Sequence, residues 1–285
     1  MMRRLTRAVP LLVALLAFLA PKAGAQCTLS FSSLTFPTYT GTADPGTATG
    51  THTGCAGENG TTTLGPGTGV GGSETIRYMT GPGGAVLAYG LFTNAAMTNY
   101  FGDTTGNEDT WSGNQPIYVY GQITAGQYPT PGTYTDTVQS PYPANGKNNP
   151  LSVSVTVLKA CTVTATNLGF GNYTGTVINS TSTISVSCTS STAYNVGLNQ
   201  GLATGATVTT REMNITQPGT AGKGLNYSLH SASATGPNWG NTTGSLVSGT
   251  GNGAAQPLTV YGQLPAAQHV APGTYTDTIT VNVSY

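Results

Sequence analysis

Charge is what this chain has least of. Nine Lys and Arg and nine Asp and Glu serve 285 residues, and the formal net charge is zero. A nucleic-acid partner needs a basic footprint, so none is expected. Disorder is also excluded, because disordered segments combine low hydrophobicity with high charge, whereas this chain has 15 Tyr and many alternating apolar runs. Histidine is scarce as well: His52, His230 and His269 stand apart, with no cysteine pair or acid near them in sequence, and read as ordinary surface or turn residues. No G-x-S-x-G elbow and no acid–base or nucleophile constellation is present, so neither an enzyme nor a cofactor is expected. The string Gly67-x-Gly69-x-x-Gly72 lacks the strand before it and the helix after it that a dinucleotide site requires, and in a chain with 40 Gly it is a chance match. No stretch has a helical period.

Only the N-terminus carries a long apolar run. Arg3, Arg4 and Arg7 precede an apolar stretch from Val9 to Ala20, and Ala23-Gly24-Ala25 is an A-x-A cleavage site. This reads as a secretory signal peptide over residues 1–25, too short for a membrane span, leaving Gln26 first in the mature chain. A secreted chain passes through an oxidising compartment, where its four cysteines pair. Three pairings are formally possible. The duplicated spacing, 28 residues from Cys27 to Cys55 and 27 from Cys161 to Cys188, favours one bridge in each half.

Beyond the cysteines, the sequence repeats itself. Val119-Tyr120-Gly121-Gln122 with Pro131-Gly132-Thr133-Tyr134-Thr135-Asp136-Thr137-Val138 returns as Val260-Tyr261-Gly262-Gln263 with Pro272-Gly273-Thr274-Tyr275-Thr276-Asp277-Thr278-Ile279. Each copy is a strand, a Pro-Gly turn and a strand opened by tyrosine, the position where sandwich folds place an inward tyrosine bonded to backbone. Ile279, Val281, Val283 and Tyr285 alternate with polar residues, the period of a half-buried strand that is expected to run unbroken to Tyr285. Arg77-Tyr78-Met79 matches Arg211-Glu212-Met213. The expected architecture is all-β: two tandem immunoglobulin-like sandwiches over residues 26–158 and 161–285, joined by a short linker and stacked end to end. In the first, residues 139–150 interrupt the last strand; three prolines and Asn145-Gly146 predict a protruding turn there. Asp136 and Asp277 read as polar residues on the wet face of a strand. Asp103, Asn107, Glu108 and Asp109 form an acidic cluster without the spacing of a calcium loop.

The cysteine–Phe–Tyr openings (Cys27, Phe36, Tyr39; Cys161, Phe170, Tyr173), Val-Tyr-Gly-Gln and the terminal Pro-Gly-x-Tyr-x-Asp-Thr-Ile-x-Val-x-Val-x-Tyr resemble the spore coat protein U domain, found in subunits of archaic (Csu-type) chaperone–usher pili. The resemblance implies an incomplete immunoglobulin-like fold, held by a periplasmic chaperone, passed to an outer-membrane usher and completed by a strand from the adjacent pilin subunit. Such a strand adds by backbone hydrogen bonds and alternate apolar side chains. The resemblance places the edge that receives chaperone or donor at Ile279, Val281, Val283 and Tyr285. Shaft subunits carry a donor extension ahead of the first cysteine; here only Gln26 precedes Cys27, so the chain is expected at the fibre tip, on the cell surface. There the N-terminal domain would attach to an abiotic or host surface in biofilm formation. Its candidate loops are residues 41–50, 94–103 and 139–150, with Ala95, Ala96, Met97, Tyr100, Phe101 and Tyr142 as the apolar contacts. For Tyr100 and Phe101 the competing reading is core cover, since Trp239 stands at the same place in the second half. The alternative functions are a structural spore-coat or surface-layer protein, and a carbohydrate-binding module using Trp111, Asn114 and Gln115.

Overall fold

The computed structural model describes residues 27–142, 147–216 and 224–285; the expected signal peptide lies outside them. In the N-terminal half the strands are β1 (Thr28–Phe31), β2 (Leu34–Thr35), β3 (Asp44–Thr53), β4 (Asn59–Thr62), β5 (Arg77–Thr80), β6 (Val86–Phe92), β7 (Asp109–Ser112), β8 (Pro116–Ile123), β9 (Gly132–Tyr142) and β10 (Lys147–Val157). The C-terminal half follows with β11 (Cys161–Ala165), β12 (Ile178–Cys188), β13 (Ala193–Leu198), β14 (Arg211–Ile215), β15 (Leu225–His230), β16 (Val247–Thr250), β17 (Ala255–Leu264), β18 (Tyr275–Thr276) and β19 (Val281–Ser284). Each half has its own apolar core, and the two are called domain one and domain two below.

The duplication seen in the sequence is a duplication in space. Domain one builds a sheet in the order β1-β3-β8-β6-β5-β9-β10-β2, and domain two builds β11-β12-β17-β15-β14-β18. The two disulfides are Cys27–Cys55 and Cys161–Cys188, as the spacing favours. Each ties the first long hairpin of its domain and is worth about 3 kcal/mol for a loop of this size. Both expected tyrosine corners are present: the Tyr134 hydroxyl donates to the Thr130 carbonyl and the Tyr275 hydroxyl to that of Ala271, each at 2.7 Å. A second tyrosine pair, Tyr39 and Tyr173, donates to the carbonyls of Thr124 and Pro265 at 2.7 Å.

Two strand readings change. Residues 139–150 are mostly ladder rather than a protruding turn: β9 and β10 pair without a break from Lys147↔Tyr142 to Val157↔Gly132, and only 143–146, including Asn145, lie outside the described residues. The prolines are tolerated for a geometric reason. The Gln139 carbonyl accepts from Gly65, so Gln139 faces away from β10 and Pro150, its partner, sits at a non-hydrogen-bonded position where no N–H is needed. Pro141 has the same parity. In domain two the final strand does not run unbroken. It pairs with β14 at Tyr275–Thr276, then crosses to pair with β13 at Val281–Ser284.

The domains touch where the linker runs. The Leu158 amide donates to the Tyr39 carbonyl on one side, and Ala160 and Thr189 exchange bonds on the other. The Tyr128 carbonyl accepts from the Ser190 amide at 3.0 Å.

Candidate functional site

The site is defined by a difference between two copies of one fold. In domain one β10 lies between β9 and β2, antiparallel to the first and parallel to the second. Its inward residues Leu151, Val153, Val155 and Val157 are buried, and under them so are Leu34, Phe36, Met79, Tyr134 and Val138. Domain two has no counterpart of β10 among the described residues. The matching positions Leu168, Phe170, Met213, Tyr275 and Ile279 pack against the core yet stay half-exposed. Leu168, Phe170, Met213 and Tyr275 wall an open cleft of about 940 Å³, to which Leu225 and Val270 also contribute. Of the edge named from the sequence, Ile279, Val281 and Val283 pack half-buried against the core, and Tyr285 is exposed at the end. An unpaired strand edge above an apolar trough is a template for strand addition.

Beneath the sheets, polar networks repeat in both domains. Arg77 is fully buried and donates to the carbonyls of Gly65, Glu74, Leu64 and Phe101. Arg211 does the same to Asn199, Val208, Leu198 and Trp239. Asp136 and Asp277 are not on a wet face. Asp136 is buried and accepts from the Tyr89 hydroxyl at 2.7 Å and the Thr68 amide at 2.8 Å. Asp277 accepts from Tyr227 at 2.6 Å and the Leu202 amide at 2.8 Å. Burial, with the neighbouring carboxylate, pushes both tyrosine hydroxyls well above the usual range, so they stay donors. The Gly67 of the glycine-rich string has φ +86° and Gly201 φ +90°; in each a side chain would strike the aspartate. Gly67, the first glycine of the string, serves this network.

The strand directions sort the candidate loops. β6 and β9 run away from domain two, so the β6 connection at 94–99, the loop before β5 and the paired strand ends at Tyr142 and Lys147 all lie at the far end. Residues 41–50 do not join them. From Asp44 they are strand β3, and Gly41 packs on Tyr128 beside the junction. At the far end Ala95 and Ala96 are exposed and Met97 half-exposed in a tight turn with φ +56°. Phe101 is 0% exposed in the core, and its amide bonds Leu91 as that of Trp239 bonds Leu229. It is a core residue, as the competing reading held. Tyr100 stacks on Phe92, ring centroids 5.0 Å apart. The Tyr142 side chain lies outside the described residues.

Other candidates dissolve into structure. Trp111 is buried and stacked on His52 at 4.2 Å, and His52 is itself buried, against its reading as a surface residue. Asn114 accepts from the Cys55 amide and Gln115 from that of Ser112, so these three residues form no sugar platform. In the acidic cluster Glu74 takes hydrogen bonds from Asp103, Thr104 and Asn107, which lower its pKa to about 2, while the same pairing raises that of Asp103. Among the described residues no three His, Cys, Asp or Glu converge as a metal site.

The Spore Coat Protein U domain matches residues 13–140 and 147–282. The chain belongs to that family, with two copies of its domain. It is similar to Protein U of Myxococcus xanthus, at 32% identity over 128 residues, 41% of this chain and 71% of the relative. Among solved structures it resembles the CsuC–CsuE chaperone–tip adhesion subunit pre-assembly complex from the archaic chaperone–usher Csu pili of Acinetobacter baumannii. That likeness has a TM-score of 0.52 and 19% identity, covering 91% of this chain and all of that one. The CupB6 tip adhesin of Pseudomonas aeruginosa aligns at a TM-score of 0.31 and 12% identity, covering 90% of this chain and 94% of that one. The second family segment begins at residue 147, the first residue of β10. In sequence, then, β10 heads the second copy, while in space it completes the first.

Proposed function

We propose that this chain is the adhesive end subunit of a chaperone–usher fibre, secreted through the periplasm and joined to the next subunit only through domain two. One observation carries the reading: β10 fills a slot in domain one that is open in domain two. A domain whose slot is filled in cis cannot accept a donor strand, so the chain has one joining site and terminates a fibre. The relative solved with a chaperone as a tip adhesion subunit supports the same placement. A periplasmic chaperone would cover the trough and the Ile279–Tyr285 edge until an outer-membrane usher exchanges it for the adjacent pilin. Domain one, residues 26–158, then meets an abiotic or host surface and so serves biofilm formation, while residues 161–285 form the joining domain behind a cleaved leader.

The occupant of the slot in domain one supplies the test. A peptide copying residues 147–157 is added to the purified full chain and thermal unfolding is followed. At a hundredfold excess over its dissociation constant, binding stabilises the folded state by about 2.7 kcal/mol. That raises the transition of domain two by roughly 10 °C and leaves domain one unchanged. A peptide with aspartate at the positions of Val153 and Val155 should do nothing. No shift with either peptide rejects the open groove and favours a structural coat or surface-layer component.

Attachment is assigned to the far-end turn, whose exposed Ala95 and Ala96 and half-exposed Met97 project from a tight turn. The double substitution Ala96→Asp, Met97→Asp should reduce retention of cells or protein-coated beads on polystyrene at least tenfold, with the melting temperature unchanged. Full retention would remove this turn from the contact.

A further inference from the structure

Domain one carries aromatic rings on a sheet face where domain two shows that the fold does not need them. Along β8, Ile117, Val119 and Ile123 point into the core, which turns Tyr118 and Tyr120 outward. Tyr120 pairs with Phe92 on β6, and Phe92 pairs with Tyr100. The four rings form an L on the outer face. Tyr118 and Tyr120 lie 6.5 Å apart along the strand, and the stacked pair Phe92 and Tyr100 continues across it. Tyr118 is 53% exposed, and Tyr120 and Tyr100 are half-exposed.

The repeat supplies an internal control. Tyr261 pairs with His230, which pairs with Asn238, and Thr259 stands two residues before Tyr261. Domain two therefore places Thr259, Tyr261, His230 and Asn238 where domain one places Tyr118, Tyr120, Phe92 and Tyr100. The same ladder forms with three of the four rings replaced by polar groups, so sheet formation does not explain them. Phe92 itself is only 7% exposed beneath Tyr100, so the accessible rings are Tyr118, Tyr120 and Tyr100, and exposed rings brought together on a rigid surface mark contact.

The chemistry of the surroundings selects the partner. The outward positions of β1, β3, β8 and β6 carry no Asp, Glu, Lys or Arg. Thr47 and Thr49 lie beside Tyr120 and Tyr118 in the ladder, and Gln122 continues the face. A charged polymer finds no counter-ion there. A neutral polysaccharide fits: its sugar rings present apolar C–H faces to stack on tyrosine, and its hydroxyls meet the threonine, glutamine and tyrosine oxygens of the rim. We infer that the outer face of the β3–β8–β6 sheet is a binding site for neutral polysaccharide, centred on Tyr118, Tyr120 and Tyr100. It is separate from the loop contact proposed above and does not depend on it.

Affinity electrophoresis of the full chain through gels holding laminarin, hydroxyethyl cellulose or dextran tests this. At least one of these neutral polymers should retard it. The variant Tyr118→Thr, Tyr100→Asn carries the residues of domain two, which that fold already accommodates, and should bind at least tenfold more weakly. The exposed single change Tyr118→Thr should weaken binding severalfold. The loop variant Ala96→Asp, Met97→Asp should be retarded like the parent. No retardation in any of the three gels, equal retardation of the ring variants, or loss of retardation in the loop variant alone would each overturn the site.

Discussion

Val153→Asp should unfold domain one. Val153 is 1% exposed in the middle of β10, with β9 on one side and β2 on the other. A carboxylate there has no buried cation or donor assigned to it, and burying an unpaired charge costs several kcal/mol, even when it is relieved by protonation. Added to the lost apolar contact, the cost reaches about 5 kcal/mol, the size of a small domain's whole stability. Calorimetry of the variant should lose the transition of domain one and keep that of domain two. Ser152→Asp, one residue away on the exposed face, should change stability by less than about 0.5 kcal/mol. A Val153→Asp protein with both transitions intact would mean that β10 does not complete the fold. A charge placed on the receiving edge of domain two has another outcome. Val281→Asp alters a half-exposed edge, so it should cost little by itself and abolish the stabilisation by the 147–157 peptide.

The second large effect comes from the buried arginines. Arg77→Met keeps most of the side-chain volume and removes the donors to four main-chain carbonyls. Each carbonyl left without a partner in the interior costs about 1 kcal/mol or more, so the loss is about 4 kcal/mol. The transition of domain one should fall by roughly 15 °C in a domain of this size. Arg211→Met should do the same to domain two, since its four carbonyl partners occupy the same places. Lysine cannot rescue either site, because one ammonium cannot span a fork of carbonyls. Scanning calorimetry of the two variants decides the matter: a drop below about 3 °C would make the guanidinium a passenger.

What could be read before the fold was known depended on whether the cause was local. The cysteine spacing, the Pro-Gly turn and the tyrosine after it act within a few residues of themselves or in a duplicated pattern, and the bridges and corners stand where the sequence put them. Asp136 was misread because its partner Tyr89 is 47 residues away and nothing near it signals a buried hydroxyl. Arg77 and Arg211 stood out as a repeat, yet their partners are main-chain carbonyls, which leave no mark in a sequence. The β10 strand was half visible: Val153, Val155 and Val157 alternate plainly, but Pro141, Pro150 and the asparagines between them resemble a loop. Parity alone made those prolines harmless. The aromatic face was missed because Tyr118 and Tyr120 sit two apart in a strand, where a ring reads equally well as core or surface until the inward set is known.

The hairpin that completes domain one is also the cord by which the domain hangs. The chain leaves domain one at Val157 and enters domain two at Cys161, so any pull between the far-end loops and domain two is delivered along the axis of β10. That strand lies edge to edge with β9 over its full length, and β2 grips its other side at Val153 and Ser154. A lengthwise pull must slide the whole ladder at once, because the bonds bear the load side by side. Peeling would open them one after another, and this geometry offers no end from which to peel. The tether is therefore strongest along the line from the far-end loops to domain two.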